Sequence, residues 1–155
     1  MRASDDMSKA TGMTVSEKDA LNLFQFGAEN TQVEWRADKL KDGRIFVGTV
    51  HEEALSPNSR QMGGFSDDDR LSYIHSHPRN NIISTRDEMS SMGNFMDGSN
   101  AMGDWANMIR ATRENGGKEP HSSKVYIKNT RNLYNVTYYG PKHIRKITGP
   151  NQIKF

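Results

Sequence analysis

The order of two hydrophobic periodicities constrains this chain more than any single motif. Ser16 with Asp19 three residues on resembles a capping box, and Ala20, Leu23, Phe24 and Ala28 then recur at helical spacing, which predicts a helix over 15–28. β-type segments follow at 31–35 and 44–50, and the Lys41-Asp42-Gly43 turn signal between them makes a hairpin. A long polar loop runs from His51 to Arg70, a loop long enough to cover a cleft, and a strand at 71–76 is then halted by Pro78. Ser84 reads as an N-cap with Asp87 at N3, and Met102, Trp105, Ala106 and Ile109 repeat the helical pattern up to Gly116-Gly117. Strand text returns at 124–128, 133–139 and 144–148, punctuated by Gly140-Pro141 and Gly149-Pro150. Helix, two strands, loop, strand, two helices and further strands predict an α+β fold, one mixed β-sheet flanked by helices. With 155 residues, 34% of them hydrophobic, one thin core is the expectation.

Residues 1–13 are polar and aperiodic, so we expect a flexible N-terminal segment there and a single domain over 14–155. Met89, Met92 and Met96 line one helix side and are read as core filling. With no cysteine there is no disulfide framework, no thiolate zinc site and no cysteine nucleophile; any metal must be held by histidines and carboxylates. There is no transmembrane-length apolar run and no apolar signal-peptide core, so no membrane role is expected. A net charge of +2 without a basic stripe argues against nucleic acid as a partner. Lys142, Arg145 and Lys146, the Asp67-Asp68-Asp69 run, and the isolated His51, His121 and His143 read as ordinary polar surface.

His75 and His77 are two apart at the end of a strand, so the strand period turns both rings to one side. Pro78 takes the chain out of the sheet directly afterwards, which lets Asp87, in the first turn of the next helix, return over the pair. Two nitrogens and one oxygen are three ligands, the count that leaves zinc an open position for water. Glu34, in Gln32-Val33-Glu34-Trp35, is the candidate general base, because apolar neighbours raise a carboxylate pKa; Glu52 and Glu53 compete for that role. Ser84 serves either as an N-cap or as a hydrogen-bond donor to a developing oxyanion.

His75-Ser76-His77-Pro78 followed by Ser84-Thr85-Arg86-Asp87 closely resembles the JAMM metalloprotease signature, HxHP then SxxD, of the MPN fold. The loop from His77 to Ser84 is one residue short of the usual family pattern. The resemblance implies an MPN-like (cytidine-deaminase-like) domain and a Zn site of His75, His77 and Asp87. It also implies that Glu34 is the catalytic base, with Ser84 beside the oxyanion, in a metalloprotease or isopeptidase acting on a protein or peptide substrate. Among bacterial relatives the chain looks most like JAB-like toxin modules of polymorphic or Rhs-type effectors. That resemblance implies delivery within a secreted effector, action in a target-cell cytoplasm and a cognate immunity protein as partner. Two alternatives stand beside it: an MPN-fold binding module with an idle site, and a RadC-like DNA-related protein.

Overall fold

The computed structural model describes residues 10–49, 62–78 and 104–155. Strand β1 (Ala10–Thr14) leads into helix α1 (Glu17–Asn30), followed by β2 (Arg36–Leu40) and β3 (Ile45–Thr49). A short 3-10 turn (Asp67–Asp69) opens β4 (Arg70–His77), and helix α2 (Asp104–Glu114) precedes β5 (Ser122–Ile127), β6 (Asn132–Thr137) and β7 (Gly140–Lys146). The seven strands among the described residues form one sheet in the order β1-β3-β2-β4-β5-β6-β7. Its single parallel pair is β4 with β5; the other neighbours are antiparallel, so the sheet is mixed as expected.

Half of the capping box forms: the Ser16 hydroxyl accepts from the Asp19 amide at 3.2 Å, while the Ser16 amide donates to Thr14 Oγ1 at 3.0 Å rather than to the Asp19 carboxylate. Ala20, Leu21, Phe24, Gly27 and Ala28 form the buried stripe of α1. Leu21 takes the place expected of Leu23, which is exposed. This stripe packs on Ala37, Ile45, Val47, Ile74, Tyr126 and Leu133, and Ile147 and Ile153 from the end of the chain close the cluster. On β5 the neighbours of Tyr126 turn the other way: Val125 and Ile127, with Val136, pack against Trp105, Ala106, Met108 and Ile109 of α2. Among the described residues, the sheet therefore carries one helix on each face. Helix α2 ends where Gly116 and Gly117 take φ of 70° and 91°, and the Gly117 amide bonds the Thr112 carbonyl at 2.9 Å.

Several strand boundaries depart from expectation, each for a physical reason. The first hairpin strand is Arg36–Leu40, not 31–35, because its α2-facing positions carry a buried ion pair: Arg36 and Asp38 look solvated in the sequence and are not. The last residues of the polar N-terminal segment form β1, an edge strand whose Gly12 and Met13 stay exposed, so its burial leaves no periodicity to read. Gly140-Pro141 begins β7 instead of separating strands: Tyr138 and Tyr139 make a two-residue turn, and Gly140 at φ 122° starts the return. Pro141 is tolerated because β7 is a sheet edge. From the long loop, Met62 and Phe65 pack on Leu40 and Phe46.

Candidate metal centre

Strand β4 is interior to the sheet and buried along its last four residues. Ile74 faces α1, so His75 and His77 face α2, with ring centroids 5.2 Å apart. Helix α2 leads directly into β5, which runs parallel to β4; α2 therefore runs back along the sheet and begins near the C-terminal ends of both strands. Its first residue, Asp104, meets the histidines there. The Nε2 atom of His75 lies 2.8 Å from Asp104 Oδ1, and Nε2 of His77 lies 3.2 Å from Oδ2.

The His75 ring and the Asp104 carboxyl are each shifted by their surroundings. Burial opposes protonation of His75, but the Asp104 charge and hydrogen bond, with Glu34 adding, raise its pKa overall. Burial would likewise raise Asp104, yet His75 and His77 hold its carboxyl well below the usual carboxylate range. An acid in the first turn also suits the helix dipole.

Glu34 reaches this cluster through the register of β2 on β4. Arg36 pairs with His75, and the Trp35 amide bonds the Ser76 hydroxyl while the Ser76 amide bonds the Trp35 carbonyl, both at 3.0 Å. One step further along, Glu34 stands opposite His77, two residues before β2 rather than within a strand. Thr49 Oγ1 fixes the Glu34 carbonyl at 2.6 Å. Burial raises the Glu34 pKa, while the fields of His75 and His77 oppose the rise and that of Asp104 adds to it. On the far side Trp35 is wedged onto α1: its Nε1 donates to Thr31 Oγ1 at 2.9 Å, and a Cβ on Gly27 would lie 2.3 Å from its ring.

The structure thus brings together His75, His77 and Glu34. Ser84, Asp87 and the rival bases Glu52 and Glu53 lie outside the described residues, as do Met89, Met92, Met96 and Met102. Asp104 was not singled out from the sequence, where it reads as one more polar residue within a helix. The signal that finds it is topological, an acid in the first turn of the helix that returns to a strand parallel with the HxH strand.

His75, His77 and Asp104 each offer a ligand atom, all within 4.8 Å of one another. The three ligand atoms lie close enough together for one ion to be shared among them. Two imidazoles and a carboxylate, without thiolate, are a zinc-type donor set, and the residues fit such a group. The Nδ1 atoms of both rings are buried without a hydrogen-bond partner, which leaves Nε2 as the nitrogen turned to the shared point.

A family model described as JAB-like toxin 1 matches residues 12–109, a span that begins within β1 and includes α1, β2 to β4, Glu34, both histidines and Asp104. No curated protein and no solved structure matches the chain. No helix among the described residues is long and apolar enough to cross a membrane.

Proposed function

The chain belongs to the JAB-like toxin 1 family, a JAB-like toxin module of the MPN/JAMM type, and from that premise we propose that it is a zinc-dependent hydrolase cleaving a peptide or isopeptide bond. The observation that carries this reading is the convergence of His75 Nε2, His77 Nε2 and the Asp104 carboxylate at one point, with Glu34 beside it. His75, His77 and Asp104 would hold the ion. When bound, zinc supplies Lewis acidity for the scissile carbonyl and lowers the pKa of water towards about 7.

The chain's own residues do the rest. Glu34, its pKa raised by burial, accepts the proton of the attacking water and returns it to the leaving nitrogen, so the same carboxyl serves as base and then acid. Ser84 donates a hydrogen bond to the developing oxyanion. Asp87 is the rival third ligand by motif. As a toxin module, the domain would be carried by a larger secreted effector, act on proteins inside a target cell and be restrained by an immunity protein in the producer.

Elemental analysis of the purified protein beside His77→Ala tests this first. About one zinc per chain, absent in the variant, supports the reading, as does a Glu34→Gln protein that keeps its zinc but no longer inhibits growth of a bacterial host expressing it. No zinc after reconstitution overturns it and leaves a binding module.

A further inference from the structure

The peptide group that joins Glu34 to Trp35 is held at both of its polar atoms by side chains. Its carbonyl accepts from Thr49 Oγ1 at 2.6 Å, and its amide donates to Ser76 Oγ at 3.0 Å. Thr49 ends β3 and Ser76 lies near the end of β4, the two strands that flank β2 in the sheet. Neither bond belongs to the regular ladder, since the pairing of β2 with both neighbours stops at Arg36. One step further, a regular antiparallel pair would return the Trp35 amide to a β4 carbonyl; the Ser76 hydroxyl receives it instead, while the Ser76 amide still donates to the Trp35 carbonyl. Both hydroxyls are fully buried, where a polar group is destabilising unless it is bonded, so each place would suit an apolar side chain better if the bond had no use.

Strand alternation puts the two hydroxyls on the sheet face opposite the metal ligands. Ile45 and Val47 of β3 and Ile74 of β4 pack in the α1 cluster, so Thr49 and Ser76 turn the same way, as does the Trp35 ring. Glu34, one residue before Trp35, turns to the other face, into the fields of His75 and His77. The hydroxyls therefore touch neither the point where His75, His77 and Asp104 converge nor anything bound there; they bear on Glu34 through the backbone alone. The Trp35 ring adds a third hold. Its Nε1 donates to Thr31 Oγ1 at 2.9 Å, and that hydroxyl donates to the Gly27 carbonyl of α1 at 2.6 Å. With carbonyl, amide and ring all bonded, the peptide plane cannot rotate freely, and that rotation is the motion that would swing Glu34 away from His77.

We propose that Thr49 and Ser76 are positioning residues for Glu34: their hydroxyls grip the peptide between Glu34 and Trp35 from the two flanking strands and so aim the Glu34 carboxyl at the metal centre. Glu34 lies outside β2, where no regular ladder would hold it to the tolerance that proton transfer demands, and the two hydroxyls supply what the ladder does not. Ser76 is suited to this by its place between the two histidines, because one strand segment then sets the ligand rings on one face and the base on its register from the other. The inference rests on the reading of Glu34 as general base for its purpose, but the direction of the side chain is measurable without it.

The test is made by NMR on the metal-free full chain. Residues opposite each other on neighbouring strands are close enough for nuclear Overhauser effects between the Glu34 side chain and the His77 ring, and those between the His75 and His77 rings, 5.2 Å apart, serve as the internal reference. In Thr49→Val and in Ser76→Ala the Glu34–His77 effects should weaken, more so in the double variant, while the His75–His77 effects stay. Thr49→Ser, which keeps the hydroxyl, should retain both. Zinc stoichiometry should be unchanged in the single variants, and growth inhibition of an expressing bacterial host should fall about 100-fold, as a displacement of about 1 Å at a catalytic group produces. Should Ser76→Ala fail to fold, the near-isosteric Thr49→Val carries the test alone. Glu34–His77 effects absent in the parent or unchanged in the variants, both sets weakening together, or Thr49→Ser behaving as Thr49→Val overturns the inference. A turned Glu34 with growth inhibition intact would uphold the positioning and overturn the reading of Glu34 as base.

Discussion

Asp104→Asn asks which carboxylate completes the metal centre. The substitution keeps the side-chain shape and removes only the charge and one acceptor, at a residue whose two oxygens lie 2.8 and 3.2 Å from the Nε2 atoms of His75 and His77. Loss of a partner that merely orients a zinc-bound histidine weakens metal affinity about 10–100-fold. Loss of a direct anionic ligand therefore sets a floor of about 100-fold, or about 2.8 kcal/mol. Competition against a fluorescent zinc chelator measures it, with Asp87→Asn alongside and circular dichroism confirming that both variants are folded. We expect Asp104→Asn to fall by at least that factor and Asp87→Asn to stay within about threefold. The reverse pattern would refute the placement of Asp104 as ligand and return the role to the aspartate of the SxxD motif.

Three further outcomes follow from the geometry. In Gly27→Ala a new Cβ would lie 2.3 Å from the Trp35 ring, so ring and helix must part by about 1.2 Å to reach ordinary contact; zinc content should not change, while growth inhibition falls about 100-fold because Glu34 adjoins Trp35. Asp38→Asn removes the buried carboxylate that two guanidinium groups share, a loss of about 3–5 kcal/mol, seen calorimetrically as a fall in Tm of about 6–20 °C. His121, with its folded-state pKa depressed to about 4, binds a proton more readily in the unfolded chain, so its contribution to stability is lost as pH falls from about 6.5 towards 4. Denaturation midpoints across that window should drop less in His121→Gln, and equal drops in both proteins would count against the shift.

What the sequence disclosed and what it withheld follow from where each signal is encoded. The histidine pair was legible because strand period alone puts two residues, two apart, on one face, and Pro78 marks where the strand must end. The N-terminus of α1 was legible because the N-cap at Ser16 is local chemistry. The first hairpin strand was misplaced because Arg36 and Asp38 satisfy each other inside the sheet, and pattern reading assigns such residues to solvent. His121 looked isolated since its neighbours, Tyr73 at 5.2 Å and the two arginines, come from strands distant in sequence. Asp104 was hidden for the same reason: nothing in its own neighbourhood sets it apart until the parallel pairing of β4 and β5 fixes where α2 must begin.

The centre is therefore assembled from three separate pieces of chain, the end of β4, the start of α2 and the segment before β2, which meet only when the sheet has closed. A metal ion that needs all of the first two pieces binds the folded chain and not the unfolded one, so its affinity appears as stability. At free zinc 100-fold above its dissociation constant the gain is about 2.7 kcal/mol, which for a chain of 155 residues raises Tm by about 5–11 °C. Chelation should reverse the rise, and His77→Ala should show none of it, because one imidazole and one carboxylate no longer enclose the ion. A Tm indifferent to zinc at that excess would mean that the ligands do not meet around an ion in the folded state, and the hydrolase reading would fall with them.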